Sequence, residues 1–307
     1  MTNTPNAPRP WPPSCNLIVM MSLPVRNSDV GSRTPRSSTF LTGEWSVGTG
    51  VTRLGGRFLS RGRVALGALH WLSWIIVSPR SVVSGGVARE LDTLGVGALR
   101  LVGSASILVG LIATFQVAYQ LKQYGAESVS ALAIGWFATR EVGPLVVALL
   151  VVTRSASAIA GEFAAMTSGG EIDALRVMGL DPVKYLVAPK LAALFVALPA
   201  LTVIADGFIT FGGWVGTTLF LGFNSRFYLE QIRTSLSTSD IATGVAKSLI
   251  FGFVIAIIAS DEGLSVDRRV TAIGEAASRA VVYCLLGVLA ADTLVNAILY
   301  FIPALVL

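Results

Sequence analysis

Ionisable side chains stand where apolar ones are expected. Arg154, Asp206 and Asp292 each interrupt a long apolar run, and an arginine–glutamate pair, Arg140-Glu141, opens the run that contains Arg154. A charge at bilayer depth costs roughly 3 kcal/mol or more unless it is paired or reaches water, so each of these residues is a functional candidate. Arg154 must face protein, headgroups or an aqueous cavity, or snorkel to the cytoplasmic interface. Glu162, eight residues on, shares its helical face. Asp206 and Asp292 are candidates for an aspartyl pair in an intramembrane enzyme, although neither lies in a motif. The plainer reading of Asp206 is a carboxylate near the outer boundary, bonded to a neighbouring helix.

Other chemistries lack their residues. No GxxxxGK[ST] is present, so no nucleotide is held by a P-loop, and HExxH, GxSxG and Cys/His clusters are also missing. Cys15 and Cys284 are far apart and imply neither a disulfide framework nor a metal site. No cofactor is expected.

The elements that must position these residues are membrane helices. The chain has 307 residues, 53% of them hydrophobic and 13% charged, where soluble domains carry about 25% charged residues. Its mean hydropathy is +0.70. The apolar runs are continuous rather than alternating, which favours helices over a barrel. The expected fold is an all-α polytopic membrane protein, with an N-terminal interfacial helix and about five transmembrane helices. A net charge of +5 suits cytoplasmic loops and lipid headgroups better than nucleic acid.

In chain order, residues 1–50 are rich in Pro, Ser, Thr, Asn and Gly and are expected to be a disordered tail. Asn16 to Leu23 is too short to span a bilayer and lacks the flanks of a secretory signal. Within 51–97, Arg53, Arg57 and Arg61 fall on one helical face ahead of Trp71 and Trp74, as in a helix lying in the inner headgroup region. A soluble connector, Ser78 to Gly97, follows.

The transmembrane domain is expected over 98–307. Spans are read at Ala98–Tyr119, Glu141–Phe163, Pro189–Leu221, Gly244–Ser260 and Ala280–Phe301. Gly103, Ser104, Ala105 and Gly110 in the first would let another helix approach closely. Pro199 and Gly212-Gly213 are candidate kinks in the third. Lys122 to Thr139 lies outside as a re-entrant piece or a helix extension, Asn224 to Thr243 as a polar outer loop or short helix. Asp261 to Arg279 reads as a charged cytoplasmic loop. The positive-inside tendency puts the N-terminus in the cytoplasm.

One further stretch stands out. Between the second and third spans, about residues 168–185, lies a short charged amphipathic helix containing Glu171, Asp173, Leu175, Arg176, Met178 and Asp181. A charged helix on a short tether between two spans can be gripped from the water.

The segment REVGP…TRSASAIAGEFAAM…EIDALRVMGLDPVKYLVAPK, followed by EGLSV…IGEAASRAVV…DTLVNAILYF, resembles the MlaE/YrbE permease family of ABC-type lipid transporters, over about Leu91 to Phe301. The family's Arg-Glu-Leu-Gly-Pro stands here as Arg140, Glu141, Val142, Gly143 and Pro144. Its Glu-Gln-Ile-Asp-Ala-Leu helix is matched by Gly170 to Leu175, with the acid moved by one. The turn is kept as Gly179, Leu180, Asp181, Pro182. The usual Pro-Arg is Pro189-Lys190, and the usual Gly-Gly is Arg268-Arg269, while Gly274 and Arg279 match.

The resemblance implies an MlaE-type ABC permease that is not itself an enzyme. It implies a multi-pass homodimer in the bacterial inner membrane, seated on a separate ATP-binding subunit, with an MCE-domain protein on the periplasmic side. The implied cargo is phospholipid moved between inner and outer membranes, which maintains outer-membrane lipid asymmetry; another hydrophobic solute, such as a sterol or solvent, is the alternative. On this reading the helix near 168–185 is the coupling helix. Leu175, Met178 and Leu180 fill a groove on the ATPase, with Glu171, Asp173 and Arg176 on its rim. Arg140, Glu141, Arg154, Asp206 and Asp292 belong to the lipid cavity, where an arginine pairs a phosphate. A structural cap is the other role open to Arg140 and Glu141.

Overall fold

The computed structural model describes residues 86–125, 130–266 and 271–301. The expected N-terminal tail and interfacial helix lie outside the described residues. Among the described residues, five helices are long and apolar enough to cross a membrane: α1 Gly86–Lys122, α2 Leu132–Ser168, α4 Val183–Phe220, α6 Thr238–Leu264 and α7 Thr271–Phe301. Two short helices join them. The elbow α3, Glu171–Val177, links α2 to α4, and α5, Ser225–Ser235, links α4 to α6 at the opposite end.

Every span is longer than expected. The shortest has 27 residues, about 40 Å of helix against ~30 Å of hydrocarbon. Apolar runs mark only the lipid-facing part, and the helices continue into polar ends. The expected connector is helical from Gly86 and continuous with α1. The stretch near Ser130 to Thr139 extends α2 and is not re-entrant. Of the expected charged loop, 261–264 continue α6 and 271–279 belong to α7. Asp261 and Glu262, read as loop residues, are buried at the end of α6.

Helix α4 packs along α1 and against α6, while α6 also packs on α2 and α7. Their shared core includes Val147, Val151, Phe163, Leu191, Leu198, Phe251 and Ile255. Gly110 and Gly212 set the α1–α4 crossing. A Cβ on Gly110 would lie 2.1 Å from the Ile209 carbonyl oxygen, and one on Gly212 would lie 2.2 Å from that of Ile107. The two backbones touch because neither residue has a side chain. Gly212-Gly213 is thus a contact point, and the helix is continuous through Pro199.

The short helix α5 is fixed from both sides. Asn224 caps it by accepting from the Arg226 N–H at 2.9 Å. Tyr228 is fully buried, and its hydroxyl donates to the Thr210 carbonyl at 2.9 Å. Burial pushes this phenol above its ordinary value, which keeps the donor proton in place.

Among the described residues, five stretches widen into π turns: Asp92–Val96, Ala138–Val142, Val152–Ala156, Val183–Val187 and Gly216–Phe220. Such widenings re-aim side chains and recur at functional sites. One carries Arg140 and Glu141, another Arg154.

Candidate functional site

At the end away from the elbow, three helices bring five charged residues together. The π turn of α2 presents Arg140 and Glu141. Helix α6 supplies Asp240 in its first turn and Lys247 about two turns deeper. Helix α7 supplies Asp292 and Asn296, four apart and so on one face.

Lys247 is the centre of this group and has no solvent exposure. Its ammonium donates to Glu141 Oε2 and lies 3.1 Å from Asp292 Oδ1. Asn296 Nδ2 donates to Glu141 Oε1 at 2.6 Å and to Asp292 Oδ2 at 3.3 Å. One cation thus holds two carboxylates that would otherwise repel, and an amide ties them again from the side. A buried charge is tolerable only in such company.

Arg140 sits at the edge of this network. A terminal nitrogen lies 3.6 Å from Asp240 Oδ1, and the guanidinium stacks 5.4 Å from the centre of the Trp136 ring. A guanidinium carries five N–H donors in a flat fork, so this one contact leaves capacity for an anion. A cavity of about 460 Å³ opens beside it, lined by Trp136, Phe137, Arg140, Glu141, Asn296, Leu299 and Tyr300. One wall is polar and the other aromatic and aliphatic. That combination suits an amphiphile with an anionic group.

The residues singled out from the sequence divide. Arg140, Glu141 and Asp292 come together here. Asp206 does not join them. It packs on the bare Cα of Gly143, where a Cβ would meet Asp206 Oδ1 at 1.8 Å, and among the described residues Oδ1 has no hydrogen-bond partner. Asp206 and Asp292 therefore take different surroundings, and no aspartyl pair forms between them. Arg154 lies fourteen residues beyond Arg140 on the same helix, about 21 Å away at 1.5 Å per residue. It donates to the Thr93 carbonyl at 3.2 Å and lies over Gly97, outside the cavity.

The elbow holds the other group. Its helix is shorter than expected, covering 171–177. A left-handed Gly170 precedes it and a left-handed Gly179 follows. Ile172 anchors it to the protein. Asp173 and Arg176 pair across one turn at 3.3 Å, both in solvent. Leu175 is half-buried, so it presents less apolar surface than expected. Asp181 accepts from the Val183 N–H at 3.0 Å and so starts the next helix. Beside these charges, large apolar side chains are also left to water: Val177 is 88% exposed, Met178 64%, Tyr185 63% and Leu180 42%.

Sequence reasoning missed Lys247, Asn296, Asp240 and Lys190. Lys247 did carry a signal, a lone cation inside the apolar run GVAKSLIFGFV. The family model described as "Permease MlaE" matches residues 87–298. A probable ABC transporter permease protein of Rickettsia typhi is 30% identical over 214 residues, covering 70% of this chain and 83% of that protein. The intermembrane phospholipid transport system permease protein MlaE of Haemophilus influenzae is 28% identical over 218 residues, 70% of this chain and 82% of that protein. The chloroplastic protein TRIGALACTOSYLDIACYLGLYCEROL 1 of Arabidopsis thaliana is 25% identical over 238 residues, 78% of this chain and 64% of that protein.

Proposed function

The chain belongs to the MlaE permease family, and on that footing we propose that it is the membrane-spanning permease of an ABC transporter that moves phospholipid between an inner and an outer membrane. The cavity beside Arg140 carries the reading. It sets a guanidinium against an apolar wall of Trp136, Phe137, Leu299 and Tyr300, and a phospholipid has a phosphate for the first and acyl chains for the second. The elbow, at the far end of the same helices, is where a separate ATP-hydrolysing subunit docks. Two copies of the chain face each other across their cavities in the inner membrane, and an MCE-domain protein receives or delivers lipid on the periplasmic side.

Lipid content tests the cargo. The chain purified from membranes should carry phospholipid, read by mass spectrometry. Arg140→Gln should lower the amount at least fivefold, since a charge-assisted contact contributes about 1.5–3 kcal/mol. A neutral sterol or solvent in place of phospholipid, or an unchanged yield in R140Q, would overturn this assignment of cargo.

A further inference from the structure

A second buried cation lies at the elbow end and takes no part in the cavity. Lys190, in the second turn of α4, is 4% exposed. Its ammonium donates to Glu90 Oε1 at 2.8 Å and to Glu162 Oε2 at 2.9 Å, and it lies 5.5 Å from the centre of the Phe163 ring. The three ionic partners come from three helices. Glu162 is on α2, nine residues before the elbow begins; Lys190 follows the elbow on α4; Glu90 is in the first helical segment of α1.

The tie is repeated one turn further along α1. Arg154 of α2 donates to the Thr93 carbonyl of α1. Gly97 leaves it room, because a Cβ there would meet a guanidinium nitrogen at 2.5 Å. The two cations thus fasten the start of α1, Arg154 to the helix that enters the elbow and Lys190 to the helices on both sides of it. The asymmetry of charge matters. Without Lys190, Glu90 and Glu162 face each other uncompensated and push α1 from α2.

We propose that Lys190 is a positioning residue for energy coupling: it locks both limbs of the elbow to the start of α1, so that a push on the elbow moves α1, α2 and α4 as one body. The role rests on the permease reading above, but the clamp itself is testable without reference to cargo. Spin labels at Val177→Cys on the elbow and Val96→Cys on α1, in a background with Cys15 and Cys284 replaced by serine, report the separation of the two parts; both sites are exposed. In the full chain the distance distribution should be narrow. It should broaden at least twofold in K190M and stay narrow in K190R, which keeps the charge. An equally narrow distribution in K190M would overturn the clamp.

Transport then tests the consequence. With the partner ATPase in vesicles, K190M should hydrolyse ATP but move at least threefold less lipid per ATP, and K190R should restore the ratio. An unchanged ratio in assembled K190M would overturn the coupling role. Should K190M fail to assemble, Glu90→Gln decides, because it keeps the Lys190–Glu162 pair while removing the ionic tie from Lys190 to α1; its ratio should fall, and an unchanged ratio would again count against the proposal. Loss of lipid movement in the wild-type chain would instead refute the cargo reading, and the spin-label distances would still judge the clamp.

Discussion

Lys247→Met is expected to cost the protein about 3–5 kcal/mol, the range for breaking one partner out of a buried ion pair. The substitution leaves Glu141 and Asp292 facing each other, with Asn296 as their remaining support, at a site that solvent reaches only in part. Little folded chain should survive in detergent, as read by fluorescence-detected gel filtration after heating. The triple variant Lys247→Met, Glu141→Gln, Asp292→Asn should recover most of the loss, because removing all the charges together leaves nothing uncompensated. That rescue separates an electrostatic cause from a cavity left by the lost side chain, which neutral partners would not repair. A K247M protein as stable as the wild type would refute the network as described.

The second large effect lies at the elbow. Val177→Asp with Met178→Asp should leave the isolated chain as stable as before, since both side chains are exposed and surface changes usually stay within ±0.5 kcal/mol. Binding to the partner ATPase should nevertheless fall by three orders of magnitude. Each apolar anchor at the centre of an interface contributes about 2 kcal/mol or more, and a charge there must also be desolvated. Titration of the ATPase onto the chain in nanodiscs measures this. Reversing Glu171 and Asp173 to lysine should weaken the complex less, because they stand at the rim. Unchanged affinity in the apolar variant would mean that the ATPase grips elsewhere.

How much of this could be read beforehand depended on the physics behind each feature. Five spans are legible because hydrocarbon demands long apolar runs, but their ends are not, because helices continue into polar residues once past the lipid. The elbow was visible as a charged island between two such runs. Its exposed apolar surface was not: Val177 and Tyr185 look like ordinary apolar residues until the fold leaves them in water. Arg140, Glu141 and Asp292 could be picked out one by one as charges at depth. That Lys247 joins them could not, since the partners are 106 residues apart for Glu141 and belong to three helices. Arg154 illustrates the converse. Its depth is plain from the sequence, while its direction depends on a carbonyl at Thr93 and a missing side chain at Gly97, and these turn it away from the cavity.

Lipid movement in sealed vesicles bears most directly on the whole account, which joins a cavity at one end of the helices to a grip at the other. The chain, reconstituted with its partner ATPase and a labelled phospholipid, should move lipid when ATP is added. It should stop doing so in the elbow variant and in R140Q, and the chain alone should hydrolyse no ATP. Lipid movement that proceeds equally without ATP, or that persists at full rate in both variants, would contradict it.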